Sequence, residues 1–495
     1  MVLEYIILGV YTLALVLILM YALAQLNLLI NYLSSKKKEE NEIKFDLSNS
    51  DEVPFVTIQL PVYNELYVME RLLENISQIE YPREKLEIQV LDDSTDESLK
   101  STANHIKQLQ QSGLDIKHVL RDDRVDFKAG ALREGLRTAK GEFIAIFDAD
   151  FLPQKDWLHK TVPYFKDKNI GVVQTRWGHL NRDYSLLTKV QAFALDAHFT
   201  LEQTGRNTKD HFINFNGTAG IWRKACIEDA GNWQGDTLTE DLDLSYRAQL
   251  KKWKFKYLEG VETPAELPVV ISAARTQQFR WNKGGAENFR KMLWEIIRNK
   301  NTPLKTKIHG MLHLLNSTMF LSVLIVAILS VPVLYIKNSH PEFNMFFIAM
   351  SFFIVSTAIF FVCYWFMYKN TFGKGVRSFI NYVGLFFTFF SVAMGFSLHN
   401  SIAVLEGHFG KRSAFIRTPK FNIKGEKGNW KGNKYLRTKL SPNVILEGLL
   451  MIYFAFGIYS AFIVRSNGDF GFVPFHLMLV FGFGYVFFKS FRAKA

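Results

Sequence analysis

The sequence predicts an α/β domain with a parallel sheet, joined to a helical membrane region. Two observations carry this prediction: long apolar runs lie near both ends of the chain, and residues 36–307 alternate strand-like and helix-like patterns. Of the 495 residues, 48% are hydrophobic while 21% are charged, a mixture that fits neither class alone. The middle segment, about 270 residues, is long enough to build its own core.

The apolar runs predict a membrane protein. Residues 1–32 are almost uncharged, and about 20 apolar residues suffice to cross a bilayer. Because the run lacks a basic start and a cleavage site, we expect a retained anchor over residues 1–35 rather than a signal peptide. Further apolar runs occupy roughly residues 311–336, 343–368, 379–398, 444–464 and 473–488.

The net charge of +12 indicates membrane topology rather than nucleic-acid binding, because the basic residues flank the apolar runs. Segments 36–40, 368–377, 411–439 and the tail 489–495 are basic and therefore predicted to be cytoplasmic. If residues 379–398 crossed, segment 411–439 would lie outside. We therefore expect five spans, with residues 379–398 interfacial or re-entrant. The two cysteines exclude a disulfide framework and fit a reducing compartment.

The soluble part alternates strands and helices. The stretches "VTIQLPV", "EIQVLDD", "IKHVL" and "EFIAIFDAD" read as strands, and helices are expected over residues 67–79, 97–111 and 128–140. This order predicts right-handed crossovers and a ligand crevice at the carboxyl ends of the strands. Asp92 and Asp93 end one strand, and Asp148 and Asp150 end another. If these ends are neighbours, the carboxylates converge.

The "DAD" stretch suits a divalent cation. Asp148 and Asp150 lie on one side of an extended segment, and Mg²⁺ is usually held by one or two carboxylates and substrate phosphates. A surface turn is the alternative, but the preceding apolar strand favours a metal. Neither a G-x-G-x-x-G nor a P-loop pattern is present, so a phosphate ligand would need a metal, Lys or Arg.

Other polar stretches have both a structural and a functional interpretation. Asp92 and Asp93 could accept hydrogen bonds from a nucleotide base and ribose, while Ser94 or Thr95 caps the next helix. Lys128 could serve a diphosphate or be a solvated lysine.

Two stretches near helix starts are also ambiguous. Glu240, Asp241 and Asp243 open a helix, where they could cap it or supply a general base. The loop "FNGTAGIWR" offers hydroxyl and backbone donors. "QQFRWNKGG", residues 277–285, is either a membrane-interface anchor or a site for an anionic and a flat ligand.

Together these stretches resemble the inverting, membrane-bound glycosyltransferases that include cellulose synthases, and most closely the cellulose-synthase-like A and C proteins. The resemblance covers about residues 54–420 through "LPVYNE", "VLDDSTD", "KAGAL", "AIFDADF", "FNGTAGIWR", "TEDLDL", "KWKFKYL" and "QQFRW". It implies a GT-A fold, a nucleotide-sugar donor and a divalent metal, Mg²⁺ or Mn²⁺. "QTRW", residues 174–177, departs from the cellulose synthase Q-T-P pattern and agrees better with the A and C group.

The resemblance also implies roles for individual residues. The donor is bound by Tyr63, Glu65, Asp92, Asp93, Lys128, Asp148 and Arg280, and the metal by Asp148 and Asp150. Asp241, beside Glu240, is the catalytic base. The acceptor is bound by Gln277 and Trp281, with Gly217 and Thr218 nearby. "FIRTPK" resembles a gating loop through Phe415, Thr418 and Lys420, although Arg417 departs from the usual Val.

These expectations describe three parts: an anchor over residues 1–35, a cytosolic transferase over 36–300, and a membrane region over 301–495 with a gating-like loop at 411–440. The predicted function is polymerisation of hexose from UDP-glucose or GDP-mannose into a β-linked, β-1,4 polysaccharide that crosses a bacterial inner or plasma membrane. The predicted partners are the donor, the growing glycan and membrane lipids, without nucleic acid. A ceramide or diacylglycerol glucosyltransferase is the alternative, and a sugar-binding transporter is a more remote one.

Overall fold

The computed structural model describes residues 1–35, 53–426, 428–436 and 441–492. The basic segment 36–40 and parts of the other predicted cytoplasmic segments, residues 427, 437–440 and 493–495, lie outside these ranges. The predicted alternation is confirmed. The strands are β1 Val56–Val62, β2 Leu86–Asp92, β3 Ile116–Leu120, β4 Phe143–Ile146, β5 Ile170–His179, β6 Gly220–Arg223 and β7 Lys254–Ala265.

The helices of the first part of the chain are α1 Val2–Ser35, α2 Met69–Ser77, α3 Ser98–Gln111, α4 Phe127–Thr138, α5 Trp157–Thr161, α6 Leu186–Asp196, α7 Thr204–Asn207, α8 Lys224–Asp229, α9 Glu240–Leu250 and α10 Ile271–Arg298. The later helices are α11 Leu304–Leu314, α12 Thr318–Ser339, α13 Asn344–Met350, α14 Ile354–Phe372, α15 Val376–Gly395, α16 Ser397–His408, α17 Asn443–Ile463 and α18 Val473–Arg492. A π-helical segment, Ala197–Gln203, joins α6 to α7.

The seven strands form one sheet in the order β3-β2-β1-β4-β6-β5-β7. The prediction of a parallel sheet holds for every pairing except those of β6, which runs antiparallel to β4 and β5. The chain reaches β6 after the long excursion through α6 and α7, so it enters from the edge at which β5 ends. The sheet is mixed, and β1, β2, β3 and β4 pair in parallel, as the alternation predicts.

Two apolar layers cover the sheet. One contains Trp157 and the residues facing α2 and α3, and the other contains Trp222 and Trp233 beneath α4, α8 and α9. All three tryptophans are fully buried. This packing holds both sheet faces, so the carboxyl edge of the strands is the part left open for a ligand.

Within the described parts of the chain, six helical segments are long and apolar enough to cross a membrane: residues 2–35, 318–339, 341–372, 376–395, 443–463 and 473–491. The segment 376–395 meets the same criteria of length and composition as the others. The expectation that it is interfacial, with five true spans, therefore stays a prediction. Helix α10, which carries the "QQFRW" stretch, is not among the six and packs against α16.

Candidate active site

Fifteen of the predicted site residues line one cavity at the carboxyl edge of the sheet. They come from sequence positions more than 350 residues apart and from strand ends, helix starts and a late loop. They are Tyr63, Glu65, Asp93, Lys128, Asp148, Asp150, Gly217, Glu240, Asp241, Gln277, Arg280, Trp281, Phe415, Thr418 and Lys420. We call this the catalytic cavity. Two predicted residues, Asp92 and Thr218, do not line it.

Asp148 contacts Thr218 through its backbone and Lys128 through its carboxylate. Its amide N–H donates to Thr218 Oγ1 at 2.9 Å, and Lys128 Nζ lies 2.5 Å from its Oδ1. Lys128 also donates to the Gly217 carbonyl at 2.9 Å. Burial opposes the charge of Lys128, but Asp148 and Glu240 outweigh burial and raise its pKa. Lys128 is therefore a fixed cation inside the cavity, and Thr218 supports Asp148 from behind.

Asp150 is only 2% exposed and is paired with Lys420, whose Nζ lies 2.5 Å from Oδ2. Its other oxygen, Oδ1, is buried and has no hydrogen-bond partner among the described residues. Such an oxygen needs a ligand, since an unsatisfied buried acceptor is costly. The unpartnered oxygen and the neighbouring Asp148 carboxylate fit a hard divalent cation. The described residues contain no cluster of three potential metal ligands, so substrate oxygens would have to complete the coordination.

Asp241 lies in the first turn of α9 beside Glu240. Burial, followed by the Glu240 carboxylate, raises the pKa of Asp241 to about 7. Burial also raises the pKa of Glu240. Gly217, at φ +79°, permits the close approach, because a Cβ there would lie 2.9 Å from Asp241 Oδ2. A carboxylate with this pKa suits a general base near neutral pH.

Asp243, which could have shared that role, has a different environment. It is fully buried and pairs with Arg247 at 2.6 Å and Lys291 at 2.8 Å. Asp243 therefore forms structural ion pairs, and only Glu240 and Asp241 of the three acids line the catalytic cavity.

Helix α10 presents Gln277, Arg280 and Trp281 to the same space. Arg280 Nη2 donates to Thr418 Oγ1 at 3.2 Å, and its guanidinium lies 4.7 Å over the Phe415 ring. Burial lowers the pKa of Arg280 while Glu240 and Asp148 oppose the shift. Trp281 remains 36% exposed, so its ring can stack on a flat ligand.

The ends of β1 and β2 form the opposite side. Asp93 accepts two hydrogen bonds from Arg121, at 2.9 Å from Nε and 2.5 Å from Nη2. The Arg124 guanidinium lies 3.3 Å from the centre of the Tyr63 ring. Asp92 instead points into the sheet, where it bonds His118 at 2.9 Å. The sequence had suggested both acids, and the structure brings only Asp93 to the cavity.

The predicted cap of α3 is wrong. Ser94 Oγ accepts a hydrogen bond from the Asn64 amide at 2.8 Å instead of capping the helix. The α3 amide of Ser98 is bound by Asp96 at 3.0 Å. Asp96 thus does locally what Ser94 and Thr95 were expected to do, because the two residues before it are used by the turn after β2.

The loop over residues 411–426 enters the cavity. The Phe415 and Phe127 rings stack at 5.4 Å, and Arg417 forms a 2.7 Å ion pair with Glu65. Burial raises the pKa of Glu65 to about 7, although Arg417 opposes the shift. Together with the Thr418 and Lys420 contacts, these place four loop side chains in the cavity. Arg417, the departure from the family pattern, has a specific carboxylate partner.

A second cavity of about 370 Å³ shares Trp281 with the first. Its lining includes residues of α6, α9, α10, α12 and α15. Asp241 is the only carboxylate among its lining residues, which are otherwise apolar, amide, hydroxyl or imidazole groups. The aromatic lining is Trp177, Phe199, Trp281, Phe320, Phe389 and Phe396, and the amide lining is Gln191, Asn214, Asn216, Gln278, Asn282 and Asn316. We call it the channel cavity. Six residues line both cavities: Trp177, Leu195, Asn216, Thr239, Asp241 and Trp281.

Sequence reasoning missed Arg121, Arg124, Trp177, His198 and Asn216. The first two could have been found, because "LRDDR" follows β3 and so ends at the same sheet edge as Asp93. Trp177 belongs to "QTRW", a stretch whose residues do not by themselves indicate a role. His198 lies in a π-helical segment, which the predicted helices do not include.

Comparison with known proteins finds similarity to glycosyltransferases. Residues 54–284 match a protein family described as "Glycosyltransferase like family 2". Glucomannan 4-beta-mannosyltransferase 2 of Arabidopsis thaliana is 41% identical over 284 residues, 55% of this chain and 53% of the relative. Glucomannan 4-beta-mannosyltransferase 1 of Oryza sativa subsp. japonica is 42% identical over 261 residues, 52% of this chain and 50% of the relative. The matched region thus spans about half the length of these curated relatives.

Among solved structures, mannosyltransferase PcManGT from Pyrobaculum calidifontis, in complex with GDP-Man and Mn²⁺, superposes with a TM-score of 0.53. The identity is 19%, and the superposition covers 81% of this chain and 100% of that protein. At this identity the likeness concerns the fold, and it agrees with the predicted GT-A architecture followed by helices.

Proposed function

We propose that this chain, whose residues 54–284 match the family described as "Glycosyltransferase like family 2", is an inverting transferase that builds a β-1,4-linked polysaccharide containing mannose. The donor is a nucleotide sugar, GDP-mannose, and UDP-glucose is the alternative donor. The observation that carries the proposal is the meeting of Asp93, Asp150, Asp241 and Arg280 at one cavity. The names of the curated relatives support a mannosyl product.

The transfer would be a single displacement. An acceptor hydroxyl gives its proton to Asp241 while its oxygen attacks the anomeric carbon of the donor. The bond to phosphate breaks on the opposite face, and the nucleoside diphosphate leaves with the electron pair. Holding both sugars in line supplies several kcal/mol of the rate enhancement by positioning alone. The raised pKa of Asp241 supports its role as the proton acceptor.

The leaving diphosphate would be stabilised by fixed cations. Lys128 lies beside Asp148, and Arg280 reaches the same cavity from α10. Arg280 can bind phosphate oxygens with two parallel hydrogen bonds. Asp148 and Asp150 would hold Mg²⁺ or Mn²⁺, which when bound supplies further positive charge to the departing diphosphate. On the acceptor side, Trp281 would stack under the sugar, with Gln277 and Gly217 beside it.

The channel cavity supports export of the product. Its aromatic and amide lining suits a neutral polyhydroxylated chain, which needs hydrogen bonds and flat faces rather than charge. The cavity begins at Asp241 and Trp281, where the new bond would form. We therefore propose that residues 1–35 anchor the protein, that 36–300 form a cytoplasmic transferase, and that 301–495 form the export region. Loop 411–440 would gate the donor through Phe415, Thr418 and Lys420.

A donor screen on the purified full-length protein tests this proposal. With Mn²⁺ or Mg²⁺ present, we expect nucleotide release and an insoluble product from GDP-mannose that an endo-β-1,4-mannanase degrades. The Asp241→Asn variant should still bind the nucleotide, while its transfer rate falls at least about a hundredfold. Organic-soluble product would instead indicate the glycolipid alternative. Lack of release from any nucleotide sugar would overturn the assignment.

A further inference from the structure

Asn216 stands where the two cavities meet. It lines both of them, and it precedes Gly217, the residue that allows Asp241 to approach. A sugar that spans the two cavities would therefore lie close to Asn216. The family resemblance placed Gly217 and Thr218 near the acceptor and gave Asn216 no role.

The Asn216 amide is held in a single orientation. Its Oδ1 accepts a hydrogen bond from Gln203 Nε2 at 2.7 Å, and its Nδ2 lies 3.1 Å from His198 Nε2. Its backbone N–H donates to Gln174 Oε1 at 3.1 Å. Because Nδ2 can only donate, His198 Nε2 must be the acceptor, and the imidazole proton must lie on Nδ1.

A proton on Nδ1 also agrees with the contact that the other ring nitrogen makes. His198 Nδ1 lies 3.1 Å from Glu202 Oε2, where it donates to the carboxylate. Glu202 also accepts hydrogen bonds from Arg206 at 3.1 Å and from Gln25 at 2.6 Å. Gln25 belongs to α1, so the chain of contacts links Asn216 to the first candidate membrane helix.

The charged members of this network are buried, which costs free energy unless they are paired. Glu202 is 9% exposed and Arg206 4%, so their charges are taken out of water and depend on one another. The π-helical segment 197–203 brings His198 and Glu202 into register, and such segments often mark functional sites. The network uses one N–H of Asn216 Nδ2. The second has no partner among the described residues.

On the basis of the proposed function, we propose that Asn216 is an acceptor-binding residue. Its second N–H donates to a hydroxyl or ring oxygen of the terminal acceptor sugar, and this contact turns the attacking hydroxyl towards Asp241. His198, which also lines the channel cavity, is a positioning residue, because its Nε2 accepts the first N–H of Asn216 and so fixes the direction of the second. A neutral amide suits this place, since it selects an uncharged acceptor without disturbing the carboxylate at Asp241.

The test measures acceptor and donor kinetics separately in the purified full-length protein. The probes are GDP-mannose and added β-1,4-mannohexaose, with nucleotide release without acceptor as the donor readout. We expect Asn216→Ala to raise the acceptor KM about three- to tenfold, the loss of one neutral hydrogen bond, with the donor KM within twofold of wild type. His198→Ala should shift the acceptor KM in the same direction. His198→Gln, which can both donate and accept, should recover part of the loss.

His309→Ala is the matched control. His309 is also half-buried, and it stacks on His211 without lining either cavity. It should leave the acceptor KM unchanged. An acceptor KM within twofold of wild type in Asn216→Ala, or an equal rise of both KM values, would overturn this inference while leaving the proposed function intact. A wild-type protein that transfers from no donor would overturn both.

Discussion

At the scale of single residues, the proposed role of Asp241 as general base predicts the pH range in which transfer can occur. Burial and Glu240 raise its pKa to about 7, so the neutral form is favoured below that pH. A general base must be ionised to accept a proton. We therefore expect kcat/KM to be constant above pH 7 to 8 and to fall as the pH decreases through about 7, approaching tenfold per pH unit. A pH–rate profile with the added acceptor measures this limb, whose apparent pKa belongs to the coupled Glu240–Asp241 pair.

Glu65 supplies the control for this assignment, because burial raises its pKa to about 7 as well. Glu65→Gln removes that titration while retaining a polar side chain of the same size. The acid limb should persist in this variant. Its disappearance would assign the limb to Glu65 and the donor pocket, and would contradict the assignment to Asp241.

Residue identity alone could predict most of the cavity but could not separate adjacent candidates. Asp92 and Asp93 are neighbours at the end of β2, and successive strand residues face opposite sides. The pairing of β2 with β3 sets Leu120 opposite Asp92 and His118 two residues earlier, where His118 Nε2 lies 2.9 Å from the Asp92 carboxylate and holds it at the sheet. Asp93 is left at the cavity with Arg121. That choice depends on register between strands, which a strand-by-strand reading does not contain.

At the scale of elements, the 411–426 loop places the Lys420 ammonium group beside the proposed metal site. Lys420 pairs with Asp150 Oδ2, so a divalent cation bound at the unpartnered Oδ1 would lie close to this positive charge. We expect Lys420→Ala to bind Mn²⁺ without nucleotide at least about threefold more tightly than wild type, since a nearby positive charge has been removed. The signal of free Mn²⁺ in electron paramagnetic resonance measures this directly.

Lys424→Ala is the matched variant, because Lys424 is exposed on the same loop and removes the same charge. It should bind Mn²⁺ like the wild-type protein. Equal affinities in Lys420→Ala and wild type would show that the Lys420 charge does not oppose cation binding at Asp150.

The elements themselves were largely predictable, since apolar periodicity and turn residues reveal strands and helices locally. The antiparallel direction of β6 was not, because it depends on where the chain stands after α6 and α7. The position of the 411–426 loop was equally hidden. Its contacts with Glu65, Asp150 and Arg280 join residues more than 130 positions apart. Only the resemblance to a gating loop pointed to them.

At the scale of the whole molecule, a buried ion pair joins α10 to α17, and a hydrogen bond joins α10 to α18. Arg275 Nη2 lies 2.5 Å from Glu447 Oε2 of α17 and 3.0 Å from Ser490 Oγ of α18. Arg275 is 6% exposed and Glu447 is fully buried. Because Arg275 lies five residues before Arg280 on α10, this contact ties the position of the Arg280 segment to α17 and α18.

Removal of one partner from this pair should destabilise the protein strongly. Glu447→Leu leaves the Arg275 guanidinium buried without its counter-charge, at a cost of about 3–5 kcal/mol. The double variant Arg275→Met, Glu447→Leu removes both charges and should recover most of that loss, which thermal unfolding in detergent would measure. Arg137→Met, which breaks the exposed Arg137–Glu134 pair, should change the stability by less than about 1 kcal/mol. If Glu447→Leu unfolds at the wild-type temperature, the ion pair does not hold α10 to the membrane region.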